Sequence, residues 1–551
     1  MSRQAVLSTR VRPYEERRRD IEATPLPPNI GTLIDELAAS VPDRVAWNFF
    51  DEGATITYET LRREVNRLAN GLRAIGVKTG NHVGVMLPNV AAFPLTWLAL
   101  ARLGAVMIPI NVRYTERELH YVLDDGEADF IVIDAHLLSM LENVPQPLPR
   151  LKDEHVVVVG GATSRYRSWS DVKGMGGADA PAGSETVALD DLLNIQYTSG
   201  TTGFPKGCML TQRYWLTIGV VNAWRDGRVY RHILSSTPFF YMDPQWLLMM
   251  TFFQRATLYV ADRQSASRFM DWVRRYGIDF TLLPNVILKQ PPSPDDRRHA
   301  LIRVNVYGFS KADHAALEDR YDLIAREAFG MTEIGNATFM PIEETGMVGS
   351  GSCGLASPFR ECRVADENGN PLPDGEIGEL IVRGPGILHG YYRKPEANKA
   401  SFHGEWFRTG DLFRRDARGF FYIVGRIKDM IRRAGENIAA REVEAVVCGL
   451  PEIAEAAALP VPDETRGEEV KVYVVPQPGV TQTDLTPQKI IDYCTSNLAS
   501  FKVPRYIEYR SELPKTPSDK VAKHVLKAER PDLRTGSWDR VEQRWHRETA
   551  S

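Results

Sequence analysis

Cysteine is scarce. The 551 residues hold five, Cys208, Cys353, Cys362, Cys448 and Cys494, which are odd in number, scattered and never spaced C-x-x-C. That excludes a disulfide-stapled scaffold, offers no zinc motif and fits a reducing, cytoplasmic location. Long apolar runs are missing too: the most apolar windows, Ala91 to Leu100 and Trp246 to Phe253, fall well short of the roughly 20 residues a membrane-crossing helix needs, so no membrane span is expected. Neither charge sign dominates, since 67 Lys and Arg stand against 71 Asp and Glu for a formal charge of −4. Without a basic field there is no electrostatic footprint for nucleic acid or anionic lipid, and a small-molecule ligand is expected. The N-terminal arginines Arg10, Arg12 and Arg17 to Arg19 are interrupted by Glu15, Glu16 and Asp20, with no apolar stretch behind them. This segment reads as a solvated arm rather than a targeting signal.

What is present is ordinary globular material in quantity. Hydrophobic residues make up 43% and charged ones 25%, and 42 Gly and 35 Pro imply turns along the whole length. The chain exceeds the roughly 100 to 200 residues of one domain, so at least two cores are expected. Leu61, Val65, Leu68, Leu72 and Ile75 recur at helical spacing behind Thr57, which can cap the first turn. The spacing predicts a helix over 57–75, a strand at 82–87, a helix at 91–103 and strands at 105–110, 130–134, 155–159 and 192–197. Strand alternating with helix points to a parallel α/β sheet. Later, 379–383 and 420–424 read as strands, and the block after Gly425 has a helix near 441–450, a strand near 468–475 and a helix near 487–497. The fold class expected is α/β, with a large N-terminal multi-sheet α/β domain over 1–427 and a small mobile C-terminal α+β domain over 428–551.

After the apolar strand comes Thr198-Ser199-Gly200-Thr201-Thr202-Gly203-Phe204-Pro205-Lys206-Gly207. Glycines for close backbone approach, hydroxyls as neutral donors and one lysine are what a polyphosphate requires. The Walker spacing G-x-x-x-x-G-K-[ST] is absent. Five further segments follow in order: Phe329-Gly330-Met331-Thr332-Glu333, Trp406-Phe407-Arg408-Thr409-Gly410-Asp411, Gly425-Arg426-Ile427-Lys428-Asp429-Met430-Ile431, Gly435-Glu436-Asn437-Ile438, and Leu513 to Val521 with Asp519-Lys520. Taken singly, Glu333 reads equally well as an exposed acid at a helix start, Phe329 as core and Asp411 as a turn residue. Together the segments resemble the ordered motifs of the adenylate-forming superfamily of acyl-CoA synthetases, peptide-synthetase adenylation domains and luciferases, over about Asn29 to Leu526.

The resemblance implies ATP, Mg2+ and coenzyme A as cofactors and a small carboxylic acid as substrate. It assigns Thr198, Ser199, Gly200, Thr201, Thr202, Gly203 and Lys206 to the triphosphate, and Gly308, Phe309, Phe329, Gly330 and Met331 to the rest of the nucleotide. Thr332 would donate to a phosphate and Glu333 would ligate the metal. Asp411 would accept from both ribose hydroxyls, and Arg426 would reach the ribose or α-phosphate. Lys520 would bridge the substrate carboxylate and α-phosphate. Lys428 would be the hinge about which the small domain turns, bringing Gly435, Glu436 and Asn437 to a tunnel for the CoA thiol. Phe240, Tyr241, Asp243 and Trp246, with Gly308 and Phe309, would line the acyl pocket.

The chemistry demands such cations. A carboxylate approaching a phosphate at about 4 Å meets repulsion of roughly 4 kcal/mol per charge pair at an effective dielectric near 20, about three decades in rate. Lys206, a magnesium ion and Lys520 are the candidates to offset it. Three positions depart from the family pattern: Tyr241 replaces a histidine, Asp519 replaces the glycine before Lys520, and Ala434 replaces the first of two glycines before Glu436. The aromatic and Met-rich stretch Phe239 to Trp246 and the run Val306-Tyr307-Gly308-Phe309-Ser310 resemble the branch of carnitine and betaine CoA ligases. They suggest a bulky, mostly apolar acid with one polar feature near Asp243. The activity expected is an AMP-forming carboxylic acid:CoA ligase acting through an acyl-adenylate. The alternative is an acyl-adenylating enzyme that passes its product to a carrier protein or partner ligase. The sequence leaves the oligomeric state open.

Overall fold

The computed structural model describes residues 11–161, 164–198, 205–307, 309, 311–434, 436–516 and 520–547. They form two compact units. The first takes residues up to 198 with 205–362 and 382–407, and the second takes 363–381 and 408 onward.

The first unit has strands β1 (Val45–Phe49), β2 (Ala54–Thr57), β3 (His82–Met86), β4 (Val106–Pro109), β5 (Phe130–Asp134), β6 (Val156–Val159), β7 (Arg167–Ser168), β8 (Leu192–Thr198) and β9 (Lys206–Thr211); β3, β4, β5, β6 and β8 are the strands the sequence predicts, and helices separate β3, β4 and β5, while β1, β2, β7 and β9 went unread. The order β7-β6-β5-β3-β4-β8-β9 is parallel except for the terminal pair β8–β9. The predicted helix after Thr57 runs Tyr58–Ala74, buries Leu61, Val65, Leu68 and Leu72, and is capped by the Thr57 hydroxyl accepting from Thr60 N–H. Seven further strands, β10 (His232–Ser235), β11 (Thr257–Val260), β12 (Phe280–Leu282), β13 (Arg303–Val306), β14 (Ile324–Met331), β15 (Gly335–Phe339) and β16 (Ser352–Ala356), order with the first two as β16-β15-β14-β13-β12-β10-β11-β1-β2. The apolar window Trp246 to Phe253 lies in helix Met242–Gln254, which packs on helix Gln212–Trp224 and is buried almost all round. An all-round apolar surface suits such a core helix. No helix among the described residues is long and apolar enough to cross a membrane.

The N-terminal segment corrects its sequence reading. It is not a solvated arm: Tyr14–Ala23 is a helix whose Tyr14, Arg17 and Ile21 are buried. Arg17 donates to both Glu343 carboxylate oxygens at 3.1 and 2.9 Å and to the Arg225 carbonyl at 2.9 Å. An arginine at the centre of a buried face hides that face from any hydrophobic-period test.

In the second unit, β17 (Ile377–Arg383), β18 (Trp406–Arg415) and β19 (Phe421–Arg426) lie in that order. Strands Met430–Arg433, Glu436–Ala439, Ile453–Asp463, Gly467–Pro476 and Tyr506–Tyr509 follow. Helices Ala440–Val447 and Pro487–Asn497 bury Val443, Val447, Ile490 and Ile491 in one core with Ile431, Val470, Val472 and Ile507. The boundary read from sequence at 427/428 falls inside this unit, in the short turn Ile427–Asp429.

Candidate active site

The antiparallel pair β8–β9 frames the phosphate loop, with Tyr197 opposite Gly207 and Thr198 opposite Lys206. Ser199, Gly200, Thr201, Thr202 and Gly203 lie outside the described residues. Both flanks are anchored to helix Glu116–Asp125: Tyr121 donates to the Pro205 carbonyl at 3.0 Å and Tyr197 donates to Asp125 at 2.8 Å. Asp125 also pairs with Lys394. The Lys206 ammonium sits 4.2 Å from the ring centroid of Tyr391, within cation–π range.

Thr332 and Glu333 are not at a helix start. They form the tip of the β14–β15 hairpin, where Ile334 N–H closes a turn on the Met331 carbonyl at 3.1 Å and Gly335 follows at φ 64°. The turn through Thr332, Glu333 and Ile334 is thus followed by a glycine in the left-handed region, which glycine enters at no steric cost. Gly330 is required just before it, because a Cβ there would lie 2.4 Å from the Gly335 carbonyl oxygen. Glu333 is buried rather than exposed: its carboxylate accepts from Tyr391 O–H at 2.9 Å and its carbonyl accepts from Leu388 N–H at 2.7 Å. The fully buried Cys208 thiol lies within hydrogen-bond reach of Thr198 and Glu333, and burial, then Glu333, pushes its pKa well up. The same two causes raise Tyr391, so both groups stay protonated. Thus Thr198 and Lys206, neighbours across β8–β9, and Glu333, far away in the chain, gather about Tyr391 and Cys208. Sequence reasoning missed the last two, and only the aromatic pair in Gly390-Tyr391-Tyr392 hinted at either.

Phe329 and Met331 are half-buried on β14 and Gly330 is exposed. Phe309 N–H donates to Glu327 at 3.1 Å while its ring packs on the core beneath β13, and Gly308 lies outside the described residues. Phe240 and Trp246 are buried, and Trp246 Nε1–H donates to Asp243 at 3.0 Å within the first turn of their helix. The Tyr241 hydroxyl accepts from Asn111 Nδ2 at 3.3 Å, and burial raises its pKa. Thr332 Oγ1 donates to Met242 Sδ at 3.6 Å, joining the hairpin tip to the start of this helix.

In the second unit the β18–β19 register sets Asp411 directly opposite Arg426, with Nε donating to Oδ1 at 3.0 Å. The strand before it is tied down: Thr409 Oγ1 donates to the Leu380 carbonyl at 2.7 Å and Gly410 N–H donates to Glu379 at 2.9 Å. Asp411 is buried, and its pKa is raised by that burial against the pull of Arg426, Lys520 and Arg441. Since the folded carboxyl holds its proton more tightly than the unfolded one, ionised Asp411 costs stability as pH rises above the ordinary carboxylate value of about 3.9. Asp411→Asn is therefore expected to melt no lower than the parent at neutral pH, with an advantage that shrinks as pH falls toward that value. Arg426 is largely exposed and loses little. Calorimetric melts at stepped pH check the sign, and a lower melting temperature at neutral pH would contradict it.

Lys520 is exposed on a small hairpin in which Lys515 bridges Val521 and Thr516 N–H donates to the Lys520 carbonyl at 2.7 Å. Its charge reaches Asp411, whereas Asp519 lies outside the described residues. Lys428 is exposed in the turn Ile427–Asp429. Strands Met430–Arg433 and Glu436–Ala439 form a hairpin with Arg433 opposite Glu436, so Ala434 occupies the first loop position at φ 51°. A left-handed alanine costs about 1 to 2 kcal/mol that glycine avoids. Glu436 is exposed, Asn437 pairs through its backbone with Arg432, and Gly435 lies outside the described residues.

Residues 34–392 match the family described as AMP-binding enzyme, and 442–520 match the AMP-binding enzyme C-terminal domain. Crotonobetaine/carnitine–CoA ligase of Salmonella paratyphi C (strain RKS4594) is 31% identical over 524 residues, covering 91% of this chain and 99% of the relative. Among solved structures, the anthranilate CoA ligase AuaEII in complex with anthranoyl-AMP shares the fold with a TM-score of 0.82 at 24% identity, over 92% of this chain and 98% of that one. ATP-bound MatB from Rhodopseudomonas palustris superposes with a TM-score of 0.80 at 26% identity, over 91% of this chain and 99% of its own. The order of motifs, the clustered phosphate-loop and hairpin residues and these full-length likenesses agree, and the chain belongs to the adenylate-forming family of AMP-binding enzymes.

Proposed function

We propose that this chain is an AMP-forming carboxylic acid:CoA ligase. In the first step a carboxylate oxygen of the acid attacks the α-phosphorus of ATP and pyrophosphate leaves, giving an acyl-adenylate. In the second, the CoA sulfur attacks the acyl carbon, AMP leaves with the bonding pair, and the thiol proton passes to solvent. The observation that carries the reading is that Lys206 and Glu333, from separate hairpins, meet on one side chain, Tyr391. That arrangement sets a phosphate-directed cation beside a buried oxygen donor. The full-length likeness to a CoA ligase favours free CoA over a carrier protein or partner ligase as acceptor.

The Glu333 carboxylate supplies hard oxygen of the kind magnesium prefers, so it fits the ion, while Thr332 donates to a phosphate oxygen. Bound there, Mg2+ would neutralise phosphate charge as pyrophosphate departs. Lys206 and the hydroxyls and glycines from Thr198 to Gly203 hold the triphosphate, with Gly308, Phe309, Phe329, Gly330 and Met331 around the base. Asp411 takes the ribose hydroxyls, with Arg426 as its cross-strand partner. Lys520 offsets the charge of the approaching carboxylate. Residues 428–551 act as the mobile small domain, turning at Lys428 between the two steps, after which Gly435, Glu436 and Asn437 receive the thiol. The acyl group lies among Phe240, Tyr241, Asp243, Trp246, Gly308 and Phe309. The acid is bulky and mostly apolar with one polar feature near Asp243, which Trp246 steadies, and the relative's name is the reason to begin a test panel with carnitine-like acids. The enzyme works in the cytoplasm.

Pyrophosphate release across a panel of carboxylic acids, with and without CoA, tests this reading. Acid-dependent release accompanied by thioester only when CoA is present is expected. Release without thioester from free CoA would favour the carrier or partner-ligase alternative. No acid-dependent release or ATP–pyrophosphate exchange with any acid would overturn ligase activity.

A further inference from the structure

We infer that Tyr391 is a positioning residue shared by the phosphate-loop lysine and the metal-directed carboxylate, its ring face holding Lys206 and its hydroxyl aiming Glu333. The inference rests on the ligase reading for the roles of those two groups, but its geometry stands by itself. Lys206 starts β9, while Glu333 sits at the tip of the β14–β15 hairpin. Neither strand hydrogen-bonds to the other in the sheet orders. The segment around Tyr391 joins them. Tyr391 forms an isolated bridge with Cys208, Tyr392 N–H donates to the Gly207 carbonyl at 2.8 Å, and Met209 N–H donates to the Gly390 carbonyl at 2.9 Å. Three residues earlier, Leu388 N–H donates to the Glu333 carbonyl at 2.7 Å. A short extended stretch is thus laced to β9 on one side and to the hairpin tip on the other.

Tyr391 is itself held in place. Its N–H donates to Asn398 Oδ1 at 2.6 Å and its carbonyl accepts from Asn398 Nδ2 at 3.0 Å. From this fixed backbone one side chain serves two charges of opposite sign with chemically different faces. The electron-rich ring meets the ammonium at 4.2 Å and the hydroxyl donates to the carboxylate at 2.9 Å. A carboxylate aimed by a hydrogen bond from outside the metal's own ligands binds a cation better than one left to rotate. A lysine resting on a ring keeps its charge while its ammonium remains able to donate.

The two contacts separate by mutation. Tyr391→Phe keeps the ring and removes the hydroxyl, whereas Tyr391→Leu removes both. Calorimetric binding of ATP to the full-length protein, once with MgCl2 titrated in and once in EDTA, reads them apart. For Tyr391→Phe the Mg2+ concentration that half-saturates ATP binding is expected to rise about tenfold, while ATP affinity in EDTA stays at the parental value and the melting temperature falls only by the few degrees that one lost hydrogen bond to a buried carboxylate costs. For Tyr391→Leu the affinity in EDTA is expected to fall by about two- to fivefold as well. An unchanged Mg2+ midpoint in Tyr391→Phe overturns the inference. So does an equal fall in melting temperature and EDTA affinity in both variants with no metal dependence, which is the mark of a packing role alone. If the parent binds Mg-ATP yet catalyses no acid-dependent exchange, the ligase reading fails while this one is still decided by the binding data. A parent that binds no ATP under either condition removes both.

Discussion

Lys520→Ala is expected to abolish adenylation, lowering acid-dependent ATP–pyrophosphate exchange by about a thousandfold, while thioester formation from supplied acyl-adenylate and CoA keeps most of its rate. The magnitude follows from the charge problem: about 4 kcal/mol of repulsion per charge pair at contact distance, at a tenfold rate change per 1.36 kcal/mol, is close to three decades. The selectivity follows from the chemistry. Two negative groups must meet only in the first step, and in the second a thiol attacks an acyl carbon that already carries its leaving group. Folding is not at stake, because the Lys520 side chain is exposed and its hairpin is held by backbone bonds from Thr516 to Lys520 and from Ala522 to Pro514. The side chain also lowers the pKa of Asp411, so its removal should move that carboxyl further above the ordinary range and not below it. Equal loss of both half-reactions would show that Lys520 does not act in adenylation alone.

Glu333→Gln is the second large effect expected, a fall of about a hundredfold or more in exchange rate at saturating Mg2+. Glutamine has nearly the shape of glutamate, and its amide oxygen can still accept from Tyr391, so the hairpin tip should keep its form. What disappears is a buried negative charge. Burying a neutral amide is less costly than burying a carboxylate, so the melting temperature should hold or rise. Loss of activity together with kept stability identifies a group retained for chemistry rather than for packing. Exchange within a few-fold of the parent at limiting Mg2+ would remove Glu333 from the metal's ligands. The contrast with Tyr391→Phe is informative, since that change leaves the carboxylate charged and alters only its aim.

Much of the fold is legible in the sequence because it is written at short range. Thr57 with Leu61, Val65, Leu68 and Leu72 states a capped amphipathic helix, and Tyr58–Ala74 forms as read. The apolar runs at 82, 106, 130 and 156 become parallel strands within a residue or two of the expected ends. Phe329 to Glu333 was legible as a motif but not as a shape. The hairpin depends on Gly335 adopting a positive φ and on Gly330 passing close to the Gly335 carbonyl, and neither is visible without the partner strand. The helix Tyr14–Ala23 went unread because its buried face is centred on Arg17, whose burial makes sense only once Glu343 and the Arg225 carbonyl are beside it.

The sequence by itself determined the chemistry on offer: the strings around Lys206, Glu333, Asp411 and Lys520 name the residue types and their order, because local composition is preserved whatever the chain does next. The tertiary structure alone decided which of these groups meet. Asp411 faces Arg426 because a strand register puts them opposite, and Tyr391 reaches both Lys206 and Glu333 because an extended segment is laced between two hairpins. Register and burial are set by pairing between segments distant in the chain, so no spacing within any one segment encodes them.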